Sequence, residues 1–78
     1  MSSFVVIPTA GNWPHIVQAA RGDKMGEDTV SVTVEAFMWG TGSGWAQYRP
    51  GLTMTVKEER VFENFNDALR AVLERSIR

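Results

Sequence analysis

Three glycines in five residues, Gly40-Thr41-Gly42-Ser43-Gly44, are the first place to look for chemistry in this chain. A glycine loop cradles phosphate when it opens a helix, because the unpaired N–H groups of the first turn then bind the anion. Here the loop runs into Trp45-Ala46-Gln47-Tyr48, which reads as strand, and no Lys-Ser or Lys-Thr pair follows. The loop is therefore read as a hairpin connection. His15 is the single histidine, and there is no cysteine. That excludes a Cys/His nucleophilic pair and a His/Cys metal set. His15 stands beside Pro14 and is expected at the surface or in a helix cap. Asp23, Glu27 and Asp28 miss the spacing of a calcium loop. Glu58 and Glu59 are neighbours that a strand would send to opposite faces, so they make no carboxylate dyad. Arg21-Gly22-Asp23 spells the integrin-adhesion tripeptide, which is read as a chance match in a chain with no export signal. No catalytic residue, cofactor site or metal site is assigned, and the chain is expected not to be an enzyme.

The aromatic residues carry more information. Phe37 and Trp39 fall on one face of an alternating run, Trp45 opens the segment after the glycine loop, and Tyr48 and Arg49 follow closely. Brought together across a hairpin, Trp39, Gly42, Trp45, Tyr48 and Arg49 would form a partner-binding surface. Trp, Tyr and Arg dominate binding hot spots, and large aromatics on an open sheet face mark contact surfaces. The alternative is a second small core closed by the N-terminal segment and Trp13.

The elements that must position these residues follow from periodicity. Phe4–Ile7 is apolar without alternation, which predicts a strand buried on both faces and stopped by Pro8. Residues 13–21 read two ways. As a helix, Asn12 caps, Pro14 sits in the first turn and Gly22 stops it. As a strand, His15–Ala20 pairs back onto Val30–Ala36 across the polar loop Gly22–Asp28. Thr29–Trp39 is a long strand in which Val30, Val32, Val34, Ala36 and Met38 share the core face. Trp45–Arg49 is the expected return strand, Pro50-Gly51 a turn or bulge, and Leu52–Glu58 a further strand with Leu52, Met54 and Val56 inward. From about Phe65 to Ile77 the stripe Phe65, Ala68, Leu69, Val72 and Leu73 specifies an amphipathic helix, capped by Asn64 or Asn66. Val32, Val34, Met54, Val56, Leu69 and Val72 are expected in one core. The fold class is α+β: a small antiparallel sheet of three to four strands, a C-terminal helix on one face and a short N-terminal helix, in the order β-α-β-β-β-α.

A chain of 78 residues has room for a single domain, residues 1–78, with one small core and no disulfide to support it. Dimerisation or docking on a partner would bury more area, so a homodimer or tight complex is expected. The formal charge of −1 argues against a generic nucleic-acid binder. The order helix, three strands, helix is similar in outline to double-stranded-RNA-binding domains. Yet Glu58-Glu59-Arg60-Val61-Phe62-Glu63 is mostly acidic where that family carries lysines, and the match is rejected. The apolar run Phe4–Ile7 is too short for a signal peptide or membrane span, and a cytoplasmic location is expected. These bounds lead to a small non-enzymatic protein-binding module or inhibitor acting on a larger protein or ribonucleoprotein. Such chains are common among phage and mobile-element proteins, including anti-CRISPR inhibitors of bacterial defence. The alternatives are a nucleic-acid binder using an aromatic sheet face and a small homodimeric accessory protein.

Overall fold

The structure is a computed structural model and describes residues 2–9, 13–40 and 47–74. Five antiparallel strands form one sheet: β1 (Ser2–Ile7), β2 (His15–Lys24), β3 (Thr29–Trp39), β4 (Thr53–Lys57) and β5 (Val61–Phe62), in the order β4-β3-β2-β1-β5. A single turn of 3-10 helix, Glu58–Arg60, carries the chain from β4 to β5, and one helix, α1 (Phe65–Leu73), follows. The fold is thus α+β with one more strand than the sequence suggests. Residues 15–24 are strand, so the N-terminal helix is replaced by the pairing of His15–Ala20 with Ser2–Ile7 on one side and β3 on the other. The β-branched Ile16-Val17 decides the outcome. Both residues are fully buried, in clusters on opposite faces of the sheet, which a strand allows and a helix does not.

β1 behaves as its unbroken apolar run implies. Val5 and Val6 are both fully buried and belong to different clusters. One cluster contains Val5, Val17, Ala19, Val30, Val32, Val34 and Tyr48. The other contains Val6, Ile16, Ala68 and Val72, with Phe4, Phe62, Phe65, Leu69 and Trp39 packed around it. The single core expected from the sequence is therefore split. Val32, Val34, Met54 and Val56 lie with the first cluster, while Leu69 and Val72 pack with the second, across the sheet. The reason is that β1 and β2 are apolar on both sides and offer α1 a face of its own.

The alternation in β3 fails in its second half because of two bulges. Ala19 pairs Val34 while Gln18 pairs Ala36, and Val17 pairs Phe37 while Ile16 pairs Trp39. Each step inserts an extra residue, first Glu35 and then Met38, and each insertion reverses the inward and outward sense of the residues after it. Phe37 consequently packs on the first cluster and Trp39 on the second, although the sequence places them on one face. Met38, expected inside, is 41% exposed. Bulges also bend and twist a sheet, and this sheet curls. Met54 and Val56 of β4 and Val61 of β5 touch the same cluster. At ~4.8 Å per strand, a flat sheet would hold its two edge strands roughly 19 Å apart.

The expected return strand over residues 45–49 is also absent from its described part, residues 47–49. The Leu52 N–H instead donates to the Arg49 carbonyl at 3.0 Å around Pro50 and Gly51. Gly51 has φ +95°, so the segment is a type II turn, with proline and glycine at the two positions that demand them. Leu52 closes the turn and stays 39% exposed rather than pointing inward. The helix cap matches the sequence: Asn64 Oδ1 accepts from the Asp67 N–H at 2.9 Å, and Asn64 Nδ2 donates to Asp67 Oδ2 at 3.0 Å. The helix ends at Leu73, with Glu74 as its C-cap. The sequence extends it to Ile77, and residues 75–78 lie outside the described ones.

Candidate functional site

Of the five residues expected to form a partner surface, Gly42 and Trp45 lie outside the described residues. The other three do not converge. Trp39 is half-buried beside Ile16 on the helix side of the sheet, whereas Tyr48 is buried in the opposite cluster. Arg49 is exposed in the turn. The aromatic group that does assemble is internal. His15 and Tyr48 are only 6% and 7% exposed. His15 Nδ1 lies 3.2 Å from Tyr48 Oη, where either group can donate according to the tautomer. The ring of His15 meets Phe37 and Tyr48 edge-on at centroid distances of 5.6 and 5.5 Å, and Phe37 stacks on Tyr48 at 6.0 Å. His15 is thus a buried, hydrogen-bonded core group, not the surface or cap residue expected from its neighbour Pro14. The sequence pointed elsewhere because both partners, Phe37 and Tyr48, reach His15 only once β2 is a strand.

Burial pushes the Tyr48 phenol above its ordinary value of 10.0. The neutral phenol is favoured in the folded state, so the unfolded chain loses its proton first. The stability linked to this group is present below about pH 10 and falls as the pH rises beyond it. Tyr48 is the only tyrosine, so its ionisation can be followed directly by ultraviolet absorbance. Urea midpoints of wild type should drop above pH 10 more steeply than those of Tyr48→Phe. At neutral pH that variant should lose about 1 kcal/mol, the worth of one buried hydrogen bond. Parallel pH profiles for the two proteins would remove Tyr48 from the core.

A second feature was not legible in the sequence, the open seam of the curled sheet. A groove of about 330 Å³ runs between the end of β1 and β4, lined by Val6, Ile7, Pro8, Met54 and Val56 together with the hydroxyl-bearing Thr29 and Thr55. Its size falls at the lower end of the range of ligand clefts. Two cations, Lys57 and Arg60, also border it, and no carboxylate does among the described residues. The seam exists because β5 pairs only with Phe4 and Val5, so Val6 and Ile7 run on past its end.

The β4 side of the seam is a strand edge that no described strand covers. The Val34 N–H donates to the Leu52 carbonyl at 2.7 Å, and the Glu58 N–H donates to the Asp28 carbonyl at 2.8 Å. These bonds bracket the ladder in which Val32 faces Met54 and Val30 faces Val56. Hydrogen-bonded pairs alternate along an antiparallel ladder. The even-numbered residues of β4 therefore bond to β3, and the N–H and C=O groups of Thr53, Thr55 and Lys57 point away from it. The side chains of these three residues are exposed, while Met54 and Val56 are half-buried.

Among the described residues, no three His, Cys, Asp or Glu side chains are gathered to hold a metal ion, and no helix is long and apolar enough to cross a membrane. Compared with models of protein families, with curated proteins and with solved structures, the chain matches none.

Proposed function

We propose that this chain is a non-enzymatic protein-binding module that takes up an extended segment of a larger partner by strand addition along the outer edge of β4. The observation that carries this reading is the edge itself. Three residues aim backbone donors and acceptors outward beside a groove lined largely by apolar side chains, the pattern by which a sheet recruits a further strand. Folded proteins usually blunt or cover such edges, and no described strand covers this one. The contact surface moves from the aromatic hairpin to β4 because Tyr48 spends its area inside the core. A module of this kind inhibits when the strand it occupies is one the partner needs for its own assembly. A bacterial defence ribonucleoprotein is the class of target such an inhibitor would have.

Thr55→Pro tests the reading. Proline removes the outward N–H at the middle of the edge and leaves the bonds to β3 in place. The melting temperature should stay within a few degrees of wild type, while the partner recovered on immobilised wild type is lost at least tenfold. Equal recovery by both proteins would place the contact elsewhere.

A further inference from the structure

We infer that, before any partner arrives, a second copy of this chain holds the β4 edge, its own β4 lying antiparallel with Thr55 facing Thr55 across a twofold axis. A partner's segment must then displace that copy, a step the strand-addition reading does not contain. β4 is symmetric about Thr55 in what it offers. Thr53, Thr55 and Lys57 bond outward, while Met54 and Val56 bond to β3. With the axis at Thr55, every outward residue meets another: Thr53 faces Lys57 of the second copy, and Lys57 faces Thr53 of the second copy. Each hydrogen-bonded pair exchanges two bonds, about six in all. An axis at Met54 or Val56 leaves one outward residue of each β4 without a match in the other. An axis at Lys57 sets like charges opposite each other, which destabilises. The side chains agree with the backbone. Met54 and Val56, both half-buried, come opposite each other on the groove side, where Ile7 and Pro8 also stand. Thr55 meets Thr55 on the exposed side, where the hydroxyls of Thr33 and Thr53 already lie 3.4 Å apart. Lys57 of the second copy lands at the Thr53 end of β4, away from Lys57 and Arg60. The pairing closes at two copies. The turn over Pro50 and Gly51 and the 3-10 turn Glu58–Arg60 bound β4, and a twofold contact uses the same edge on both.

Two measurements on the intact chain test this. In sedimentation at high micromolar concentration, wild type should run at twice the 8.7 kDa chain mass. Thr55→Pro, which removes the outward N–H at the axis, should run at the single mass with its circular dichroism unchanged. The chain has no cysteine, so single introduced thiols report the register even where proline unfolds the strand. Facing residues of a hydrogen-bonded pair have Cα atoms about 5.5 Å apart, within disulfide reach. Thr55→Cys should therefore cross-link to a dimer in oxidised glutathione. Thr53→Cys should stay monomeric on the same denaturing gel, since its two copies lie roughly 15 Å apart in this register. A wild type that sediments as a monomer overturns the inference and leaves strand addition to be judged by partner recovery on Thr55→Pro. A dimer that survives in folded Thr55→Pro, or a cross-link through Thr53→Cys, overturns it by placing the contact elsewhere. A series of species larger than a dimer overturns it as well, because a twofold pairing closes at two.

Discussion

Ile16→Ala is expected to lower the stability of the domain by about 2–5 kcal/mol, the range for emptying a buried isoleucine site. Ile16 is fully buried, and its cluster is the one that receives Ala68 and Val72 of α1. Removing it opens a cavity between the sheet and α1. With ~4–8 °C of melting temperature per kcal/mol in a domain of this size, thermal denaturation should register a fall of roughly 10 °C or more. Val17→Thr, at the neighbouring position, should also be costly, at about 1–3 kcal/mol for a buried hydroxyl without a partner. The pair matters more than either member. Adjacent residues are both sensitive when a strand is buried on two faces. In the helix that Pro14 and Gly22 punctuate, Ile16 would face the core with Ala19 and Ala20, and Val17 would lie to the side. A costly Ile16→Ala beside a silent Val17→Thr would restore the helix and remove the central strand from this fold.

That ambiguity shows what local pattern can and cannot settle. Phe4–Ile7, the Asn64 cap and the stripe of α1 were legible because each is decided by its own residues. The inward set Met54 and Val56 was legible for the same reason. Residues 15–20 were not, since strand pairing there depends on β1 and β3 lying on either side. The bulges at Glu35 and Met38 defeated the alternation rule. A bulge leaves no mark in hydrophobic periodicity except a pattern that continues on the wrong residues. Of the candidate surface, the sequence identified residues that carry binding chemistry but not their destinations. Tyr48 turned inward to His15 and Phe37, and the second bulge sent Trp39 to the opposite face. The seam depends on the curl of five strands, a property of the whole sheet that no single segment encodes.

Gly40→Ala should be a damaging change although it adds a single carbon. A β-carbon there would stand 2.4 Å from His15 Cδ2 and 2.8 Å from Phe37 Cζ. Both rings belong to the packed group in which Tyr48 is hydrogen-bonded to His15 and stacked on Phe37, so neither can move without disturbing the other. Overpacking of this kind costs about 1–3 kcal/mol, a large share of the roughly 5–15 kcal/mol typical of a folded domain. The first glycine of the loop is thus explained by the ring beneath it, whatever the remaining glycines do. The decisive measurement is a double-mutant cycle in urea. His15→Ala alone should destabilise by removing the ring and its hydrogen bond. In the His15→Ala background, Gly40→Ala should cost much less, because the clash has gone. A coupling of about 1 kcal/mol or more is expected for groups in such contact. Strict additivity would mean that the backbone at Gly40 does not lie over the His15 ring. Weakened partner binding by Gly40→Ala at unchanged stability would go further, returning the contact surface to the glycine hairpin and away from the β4 seam.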